Sequence, residues 1–560
     1  MIFYLDGDVN VPVSAEKKYS SIYSGTPAEG VQLIELNNHV QKEINFSTFN
    51  EISDFYNKYY TQFQGLNDSL GVDIWFLEQF RLYFNYRNFC LKLASINVFL
   101  EEHPNGFILT SDKKLELFFS ASRLEYVHGR KKKDKKQGLQ DFVKEIVYVL
   151  SNFKVVRNEF KGNIILSNPS DNINGKDKRF GVLENNYPSI LIRNIFSHHR
   201  KSKLLVQSKT WNSDSILSSY ILSLKWAKDL FVFFKLIQKV EVLFKSKLEL
   251  TSSEKIINQL FWENKKSFGL YYIRYKSFSS FFKKNNKIKS VLLSDENSPQ
   301  QKVIQYAARN NNIKIFGFQH GTIHDLHPAY IYSAYKHKPV LPDVTFTWGE
   351  YFTKLLVSKG GYNTSQVVTV GRISQLNEIR KRNELITDSK KIILYASQPQ
   401  RDLSLRTKML RDVLLTADKF KDKYQCVIRP HPAEVEDDFF DKIAKEIGCR
   451  NYIIDRISDL KTHFELCDIL INSFSTVGSE FAGYKKPMFV LDYLEQDLMG
   501  YVKYGIGIPI RGLNDLNNIL SKESIKIDSL AHDNFVKQFF YKDDVLAGER
   551  VLKYIDGSGY

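Results

Sequence analysis

The feature that most constrains the fold is an alternation of short apolar runs with helical periods, which extends from about residue 289 to residue 491. Apolar runs such as 314–318 and 392–396 give way to polar residues. Between the runs, apolar residues recur at every third or fourth position, and Pro299 behind Ser298 marks a helix start. Strands that alternate with helices in this way form doubly wound parallel sheets. The pattern therefore predicts an α/β fold.

A charged, polar stretch at 374–390 separates two such alternating series. We interpret it as a linker or crossing helix between two Rossmann-like domains with parallel sheets. The predicted domains are residues 1–380, with extra N-terminal helices, and residues 381–530, followed by a C-terminal helix in 531–560 that packs back on the first domain. Because ligands of such folds bind at the carboxyl ends of the strands, we expect the ligand in a cleft between two facing domains.

The segment Arg429-Pro430-His431-Pro432 ends a predicted buried strand of the second domain. Two prolines stiffen the turn, so Arg429 and His431 are held in fixed directions. Arg429 offers a bidentate fork for a phosphate, and His431 could donate to a phosphate oxygen. A rigid structural turn is the alternative interpretation.

A second polar group runs from a strand into a helix and comprises Ser473, Ser475 and Thr476. Hydroxyls and free N–H groups at a helix start suit a phosphate, and Glu480 could accept hydrogen bonds from a ribose. Plain N-capping by the serines is the alternative. The Walker A and GxGxxG patterns are absent at the corresponding positions, which disfavours a P-loop protein and a nicotinamide dehydrogenase.

In the first domain, Gln319-His320-Gly321 follows a strand, and Asp295-Glu296 follows its neighbour. His320 is a candidate general base, since an unperturbed histidine titrates near neutrality, and Gly321 allows a sharp turn. Asp295 or Glu296 could instead deprotonate a hydroxyl, or simply complement the dipole of the next helix. His324 and His327 follow closely, so a metal cluster has to be considered, but no carboxylate is spaced as in a zinc protease motif. We therefore expect no metal.

Residues 215–247 form a predicted amphipathic helix. Four lysines share one face of it: Lys225, Lys228, Lys235 and Lys239. The apolar side is supplied by Leu222, Trp226, Leu230, Phe233, Phe234 and Ile237. A helix of this kind suits an anionic membrane interface, and the alternative is a surface helix packed on its own domain.

The charge balance of 79 Lys and Arg against 63 Asp and Glu gives a net charge of +16 and favours anionic partners. The lysines are dispersed and no nucleic-acid-binding motif is present, so we expect no nucleic acid partner. The four cysteines lack CxxC spacing, no basic n-region opens the chain, and the longest uncharged run has twelve residues. We therefore predict a cytoplasmic protein, peripheral on the inner face of the cytoplasmic membrane.

The order of the motifs over about residues 289–500 resembles bacterial GT-B-type transferases of capsule and surface-polysaccharide assembly. The motifs in question are Glu296-Asn297, Gln319-His320-Gly321, Gly371-Arg372, Arg429-Pro430-His431-Pro432, and Ser473-Phe474-Ser475 with Glu480. Two branches look similar: transferases of Kdo or sialic-acid-type sugars from CMP donors, and CDP-glycerol glycerophosphotransferases. The resemblance implies a GT-B-like fold with an acceptor-binding first domain, a nucleotide-donor-binding second domain and no cofactor.

The resemblance also assigns roles to residues. The donor would be bound by Arg372, Ser397, Arg429, His431, Pro432, Ser473, Ser475, Thr476 and Glu480. The base would be His320, Glu296 or Asp295, and Gln319 and Gly321 would lie on the acceptor side. Gln319 stands where the glycerophosphotransferase branch has Trp, and Glu296-Asn297 suits sugar transfer. The sequence therefore favours transfer of a sugar from a CMP donor to a surface glycan or glycolipid, with polyol-phosphate transfer from CDP-glycerol and nucleotide-sugar epimerisation as alternatives.

Overall fold

The structure, a computed structural model, describes a large part of the 560-residue chain. Backbone and side chains are described for residues 2–6, 17–20, 31–32, 34, 36, 39–126, 216, 220–245, 248–265, 267–293, 295–319, 321–373, 390–398, 405–431, 434, 438–458, 460–473, 475–493, 495, 497, 499–541 and 546–557, and the backbone alone for residues 33, 38, 246, 266, 403 and 404. The backbone alone is described for strands at 162–167, 172–173, 176–177, 189–193 and 210–212. The predicted linker at 374–390 lies outside these ranges except for its last residue.

The chain divides into two compact units. Unit 1 comprises Met1–Thr347, Phe352–Thr369 and Gly548–Tyr560, and unit 2 comprises Trp348–Tyr351 and Val370–Ala547. Both units contain parallel sheets with helices, so the predicted α/β class is confirmed.

Unit 1 begins with a parallel sheet of five strands in the order β3-β2-β1-β4-β5. The strands are β1 (Ile2–Leu5), β2 (Lys17–Ser20), β3 (Gln32–Leu33), β4 (Phe107–Thr110) and β5 (Leu124–Tyr126). Three helices stand between β3 and β4: α1 (Asn38–Lys58), α2 (Tyr60–Leu70) and α3 (Ile74–Glu102). Buried aromatic rings hold these helices together, and Trp75, for example, stacks on Tyr56 with ring centroids 5.2 Å apart.

A second, seven-stranded parallel sheet completes unit 1, in the order β10-β9-β6-β11-β12-β13-β14. Its strands are β6 (Gly162–Ser167), β9 (Ser189–Arg193), β10 (Thr210–Asn212), β11 (Ile288–Leu293), β12 (Lys314–Phe318), β13 (Val344–Thr347) and β14 (Val367–Thr369). Between β6 and β9 in sequence, β7 (Asn172–Ile173) and β8 (Lys176–Asp177) form a separate antiparallel pair. The helices of this part are α4 (Lys225–Ser246), α5 (Ser252–Glu263), α6 (Lys265–Lys284), α7 (Pro299–Arg309) and α8 (Glu350–Leu355). Helix α7 begins as predicted, with Pro299 in its first turn and Ser298 as its N-cap.

Unit 2 contains a six-stranded parallel sheet in the order β17-β16-β15-β18-β19-β20. Its strands are β15 (Lys391–Ala396), β16 (Tyr424–Arg429), β17 (Tyr452–Ile454), β18 (Ile469–Asn472), β19 (Met488–Leu491) and β20 (Ile508–Ile510). Its helices are α9 (Leu403–Lys419), α10 (Phe439–Ile447), α11 (Leu460–Leu466), α12 (Thr476–Phe481), α13 (Leu513–Leu520) and α14 (Ser529–Phe540). Helix α15 (Ala547–Ile555) then returns to unit 1, where Tyr554 meets Phe346 edge to face at 5.6 Å.

One face of the unit 2 sheet packs on α9, α10 and α13 and forms a continuous apolar core. Ile393 and Tyr395 of β15 and Cys426 and Ile428 of β16 point into this core. Alternate residues of a strand face opposite sides, and the intervening residues of both strands are buried as well. The strands are therefore covered on both faces, and the ends of the sheet are the places where its polar loops can meet a ligand.

Candidate functional site

The carboxyl edge of the unit 2 sheet brings together loops from neighbouring strands. The order of the strands reverses between β15 and β18, and open α/β sheets bind their ligands at such a reversal. Strand β16 ends at Arg429, β15 is followed by Ser397, and β18 is followed by Ser473. The N–H group of Ser397 donates to the carbonyl of Arg429 at 3.0 Å. Predicted donor contacts from three strands therefore lie at one edge.

The turn after β16 exposes the imidazole of His431. Pro430 is buried, Arg429 is half-buried and His431 is exposed. The Nη1 atom of Arg429 donates to the carbonyl of Asp455, in the loop after β17, at 3.3 Å. Pro432 lies outside the described residues. The turn thus offers a cation and an imidazole at the point where the sheet order predicts a ligand.

Sequence reasoning missed Glu434, three residues after His431. Its carboxylate is 3% exposed, and it accepts hydrogen bonds from the Ser397 hydroxyl at 2.9 Å and from the His431 N–H group at 2.7 Å. Arg406 of α9 forms a buried ion pair with the same carboxylate at 2.9 Å. Ser397, predicted to contact the donor, is therefore engaged with a neighbouring loop. A glutamate three residues after the histidine of a proline-containing turn is the signal that could have suggested this arrangement.

The loop after β18 uses its serines to fix its own shape. The Ser473 hydroxyl donates to the carbonyl of Leu491 at 3.1 Å. Ser475 is buried, and its hydroxyl accepts the N–H group of Val477 at 3.3 Å, so it is the N-cap of α12. Thr476, the first residue of that helix, is exposed. Ser475 is therefore an N-cap, as the alternative interpretation predicted, and Thr476 is the exposed hydroxyl residue of this loop.

Tyr501, which the sequence did not suggest, packs against this loop and holds it by hydrogen bonds. Its hydroxyl donates to the carbonyl of Ser475 and accepts the N–H group of Ser479 at 2.9 Å. Gly478 packs against it so closely that a Cβ atom would lie 2.6 Å from both Tyr501 and Asn472. Glycine is therefore required at position 478 for a steric reason, although its φ angle is ordinary.

Arg372 and Glu480, which the sequence predicted separately, contact each other. Arg372 Nη2 lies 3.0 Å from Glu480 Oε2, and both side chains are partly exposed. The guanidinium also lies over the ring of Trp348, 5.9 Å from its centroid. A ribose hydroxyl that approached Glu480 would therefore meet a carboxylate that is already oriented by a cation.

Glu296, a predicted base, is buried in unit 1 and is 1% exposed. Its Oε2 atom accepts the Thr345 hydroxyl at 3.3 Å, and Tyr362 donates to Oε1 at 3.5 Å. Burial raises the pKa of Glu296, whereas the nearby ammonium of Lys302 opposes this shift. Burial in turn lowers the pKa of Lys302, which is 3% exposed. Gly317 leaves room for the carboxylate, because a Cβ atom there would overlap Glu296.

The remaining predicted residues of unit 1 lie near the carboxyl ends of β11 and β12. Asp295 accepts the N–H group of Ser298 at 3.2 Å and so stabilises the turn before α7. Gln319 is buried, and its side-chain amide donates to the carbonyl of Gly321 at 2.8 Å. His320 lies outside the described residues, so its role as a base stays a prediction.

Helix α4 buries one face and exposes another. Phe233 and Ile237 are buried in unit 1, where Phe233 stacks on Tyr272 with centroids 4.9 Å apart. Part of the predicted apolar side thus packs on the protein itself. The four predicted lysines are exposed. Exposed apolar side chains accompany them on the outward side: Phe231 (71%), Val232 (41%), Phe234 (43%) and Val242 (49%).

The described residues contain neither a metal-binding cluster nor a helix that could cross a membrane. No group of three or more His, Cys, Asp or Glu residues in that part of the chain is placed to hold a metal ion. Across the same residues, no helix combines the length and the apolar character that a membrane crossing requires.

Residues 357–556 match the family model for CDP-glycerol:poly(glycerophosphate) glycerophosphotransferase. The match covers about a third of the chain and most of unit 2. It indicates that the chain is an enzyme of the transferase class. No curated protein sequence matches the chain.

Several solved structures resemble the protein at low identity. They include the wall teichoic acid polymerase TagF, at 14% identity and a TM-score of 0.40 over 77% of this chain and 98% of that one. S. aureus MnaA with UDP gives 15% identity and a TM-score of 0.42 over 71% and 97%. UDP-GlcNAc 2-epimerase from Neisseria meningitidis bound to UDP-GlcNAc gives 12% and 0.44 over 71% and 100%. We draw no functional conclusion from scores in this range.

Proposed function

We propose that the protein transfers a polyol phosphate of the glycerophosphate type from a CDP-activated donor to a surface polymer or glycolipid. The observation that carries the proposal is the position of the family match, which spans the unit 2 sheet and its polar carboxyl edge. The sequence alone favoured a CMP-activated sugar on the evidence of Gln319 and Glu296-Asn297. The family match favours the alternative donor.

In the proposed reaction, an acceptor hydroxyl attacks the β-phosphorus of CDP-glycerol. The new bond joins the acceptor oxygen to the glycerophosphate, the bond to the bridging oxygen breaks, and CMP leaves with that oxygen. The acceptor proton passes to a base. Negative charge grows on the departing phosphate, so fixed donors at that position lower the barrier. Arg429 and the exposed His431 are the groups that we assign to this role.

We assign the base role to His320. The two carboxylates that compete for the role are engaged elsewhere: Glu296 is 1% exposed among Thr345 and Tyr362, and Asp295 accepts a hydrogen bond from the turn before α7. An imidazole titrates near neutrality and can accept the proton of a hydroxyl. The position of His320 directly after the β12–Gln319 segment supports the assignment.

The donor is tested by the fate of a label. Both donor classes release CMP, so we would use CDP-glycerol labelled in the glycerol and, in parallel, a CMP-sugar labelled in the sugar. We expect label to enter the polymer from CDP-glycerol, and His431→Ala to lower donor affinity and turnover strongly. His39→Ala, which changes an exposed histidine on α1, is the matched control. Incorporation from the CMP-sugar alone would refute the proposal.

We also propose an anionic membrane surface as a partner, since lipid-linked acceptors lie there. The outward face of α4 combines exposed lysines with exposed apolar side chains. Each lysine near an anionic leaflet contributes about 1 kcal/mol of attraction, and side chains such as Phe231 can enter the interface.

A further inference from the structure

We propose that Glu434 is a positioning residue that holds the His431 turn in the geometry that binds the donor phosphates. This inference rests on the proposed function, because it concerns the same donor site. It extends that function to a residue that neither the motifs nor the family match assigns.

Glu434 closes the turn by a reciprocal pair of hydrogen bonds. The His431 N–H group donates to Glu434 Oε2 at 2.7 Å, and the Glu434 N–H group donates to the His431 carbonyl at 2.8 Å. The carboxylate therefore fixes the backbone of the residue whose imidazole is exposed at the carboxyl edge. A hydrogen bond to a charged acceptor is stronger than one between neutral groups.

The same residue joins this turn to two other loops. Ser397, after β15, donates its hydroxyl to Oε1 at 2.9 Å, and Arg456, after β17, donates to the Glu434 carbonyl at 2.7 Å. The loops after three adjacent strands are thus tied together at one point. A site whose supporting groups are locked in this way keeps its ligand-binding side chains in place.

Arg406 supplies the counter-charge that allows the Glu434 carboxylate to lie beside a phosphate site. A buried carboxylate would repel a phosphate and would itself be costly to bury without a counter-charge. Arg406, 6% exposed, pairs with Glu434 at 2.9 Å, and its guanidinium lies 3.8 Å from the ring centroid of Phe439. The pair is neutral, so Glu434 supplies rigidity without cancelling the positive charge of Arg429.

The test compares donor and acceptor affinity in Glu434→Gln. We expect the Kd for CDP-glycerol to rise by about tenfold or more, because small displacements of a binding group are costly, while the KM for the acceptor stays within twofold. Exchange of the His431 backbone N–H should accelerate in the unliganded protein. Glu434→Asp keeps the charge and should restore part of the donor affinity. Asp441→Asn removes the charge from the group that accepts the Tyr452 hydroxyl at the amino end of β17 and serves as the matched control.

A second variant covers the case in which Glu434→Gln fails to fold. In Arg406→Gln/Glu434→Gln no buried charge is left without a partner, so this protein should fold and still bind CDP-glycerol weakly. Wild-type donor affinity in either folded Gln variant would overturn the positioning role. Equal losses of donor and acceptor affinity, matched by Asp441→Asn, would also overturn it. A wild-type protein that binds CMP-sugars and not CDP-glycerol would instead remove the proposed function.

Discussion

The neighbouring buried charges of Glu296 and Lys302 allow a sharp test of whether Glu296 is a base or part of the core. Both side chains are almost completely inaccessible, at 1% and 3% exposure. Replacing Glu296 by Gln keeps the shape and the acceptor for Thr345, but it removes the largest of the negative charges that favour the ammonium of Lys302, where Asp295 and Asp73 remain. Lys302→Met has the converse effect on the carboxylate.

The expected size follows from the burial. A buried charge that loses a directly bonded partner destabilises a protein by about 3–5 kcal/mol, and this is the upper limit here because Lys302 still donates to the Tyr332 hydroxyl at 3.3 Å. Unit 1 contains about 380 residues, and at about 2.1 cal/mol/K of unfolding entropy per residue each kcal/mol lowers Tm by roughly 1.3 °C, so each single variant should lose up to about 6 °C. Replacement of both partners is often nearly neutral. We therefore expect Glu296→Gln/Lys302→Met to regain most of the loss.

The stability of Lys302→Met should depend on pH in a direction that follows from the pKa of Glu296. Burial raises the pKa of Glu296 in the folded state. The stability that its neutral carboxyl group contributes is therefore present at low pH and is lost as the pH rises through the folded-state pKa. The deficit of this variant should be smaller at pH 5 than at pH 8.

Thermal unfolding and turnover together decide the question. If Glu296 acts through packing, the double variant recovers both stability and turnover. If Glu296 is the base, the double variant recovers stability but loses turnover by about a hundredfold or more. Unchanged Tm values in the single variants, or a double variant less stable than either single variant, would refute the electrostatic reasoning.

Three further predictions concern other sites. Burial raises the pKa of Glu78 to about 7 from 4.5, so the folded protein loses about 3 kcal/mol as the pH rises through this window; urea unfolding should show Glu78→Gln more stable than wild type at pH 8 and similar to it at pH 4. Gly478→Ala should lower stability by about 1–3 kcal/mol through overpacking and weaken donor binding by calorimetry, whereas Gly65→Ala, where a Cβ has open space, should be neutral or slightly stabilising. Substitution of the four exposed α4 lysines by Glu should release the protein from phosphatidylglycerol vesicles in a flotation assay, while activity on a soluble acceptor is retained. Unchanged flotation would contradict the membrane proposal. The lysines are Lys225, Lys228, Lys235 and Lys239.

The sequence predicted the strands of the second alternating series well, because both faces of these strands are buried and they appear as continuous apolar runs. Strands β15, β18 and β19 lie where the runs at 392–396, 469–471 and 488–491 place them. In the five-stranded sheet of unit 1, the sequence predicts only β4, where residues 106–110 form a candidate strand. Its strands have two to four residues, too few for a period of two to stand out from its surroundings.

The candidate site could be located by sequence but not completed. Strand ends identify Arg429, His431 and Ser473, since parallel strands carry their functional residues there. Local sequence patterns cannot predict contacts between residues that are far apart in the chain. Arg372 and Glu480, which contact each other, are 108 positions apart. Arg406 lies on a helix, where an arginine is typical of a solvated face, and only the fold shows that it neutralises Glu434.

The passage of the chain between the two units has a consequence for biosynthesis. Unit 1 is completed by residues 548–560, which a ribosome makes only after residues 370–547 of unit 2. Domains tend to fold as they emerge during translation. Unit 2 can therefore acquire its sheet while the docking place of α15 beside Phe346 is still vacant, and a chaperone or an early nascent partner would find that apolar surface uncovered.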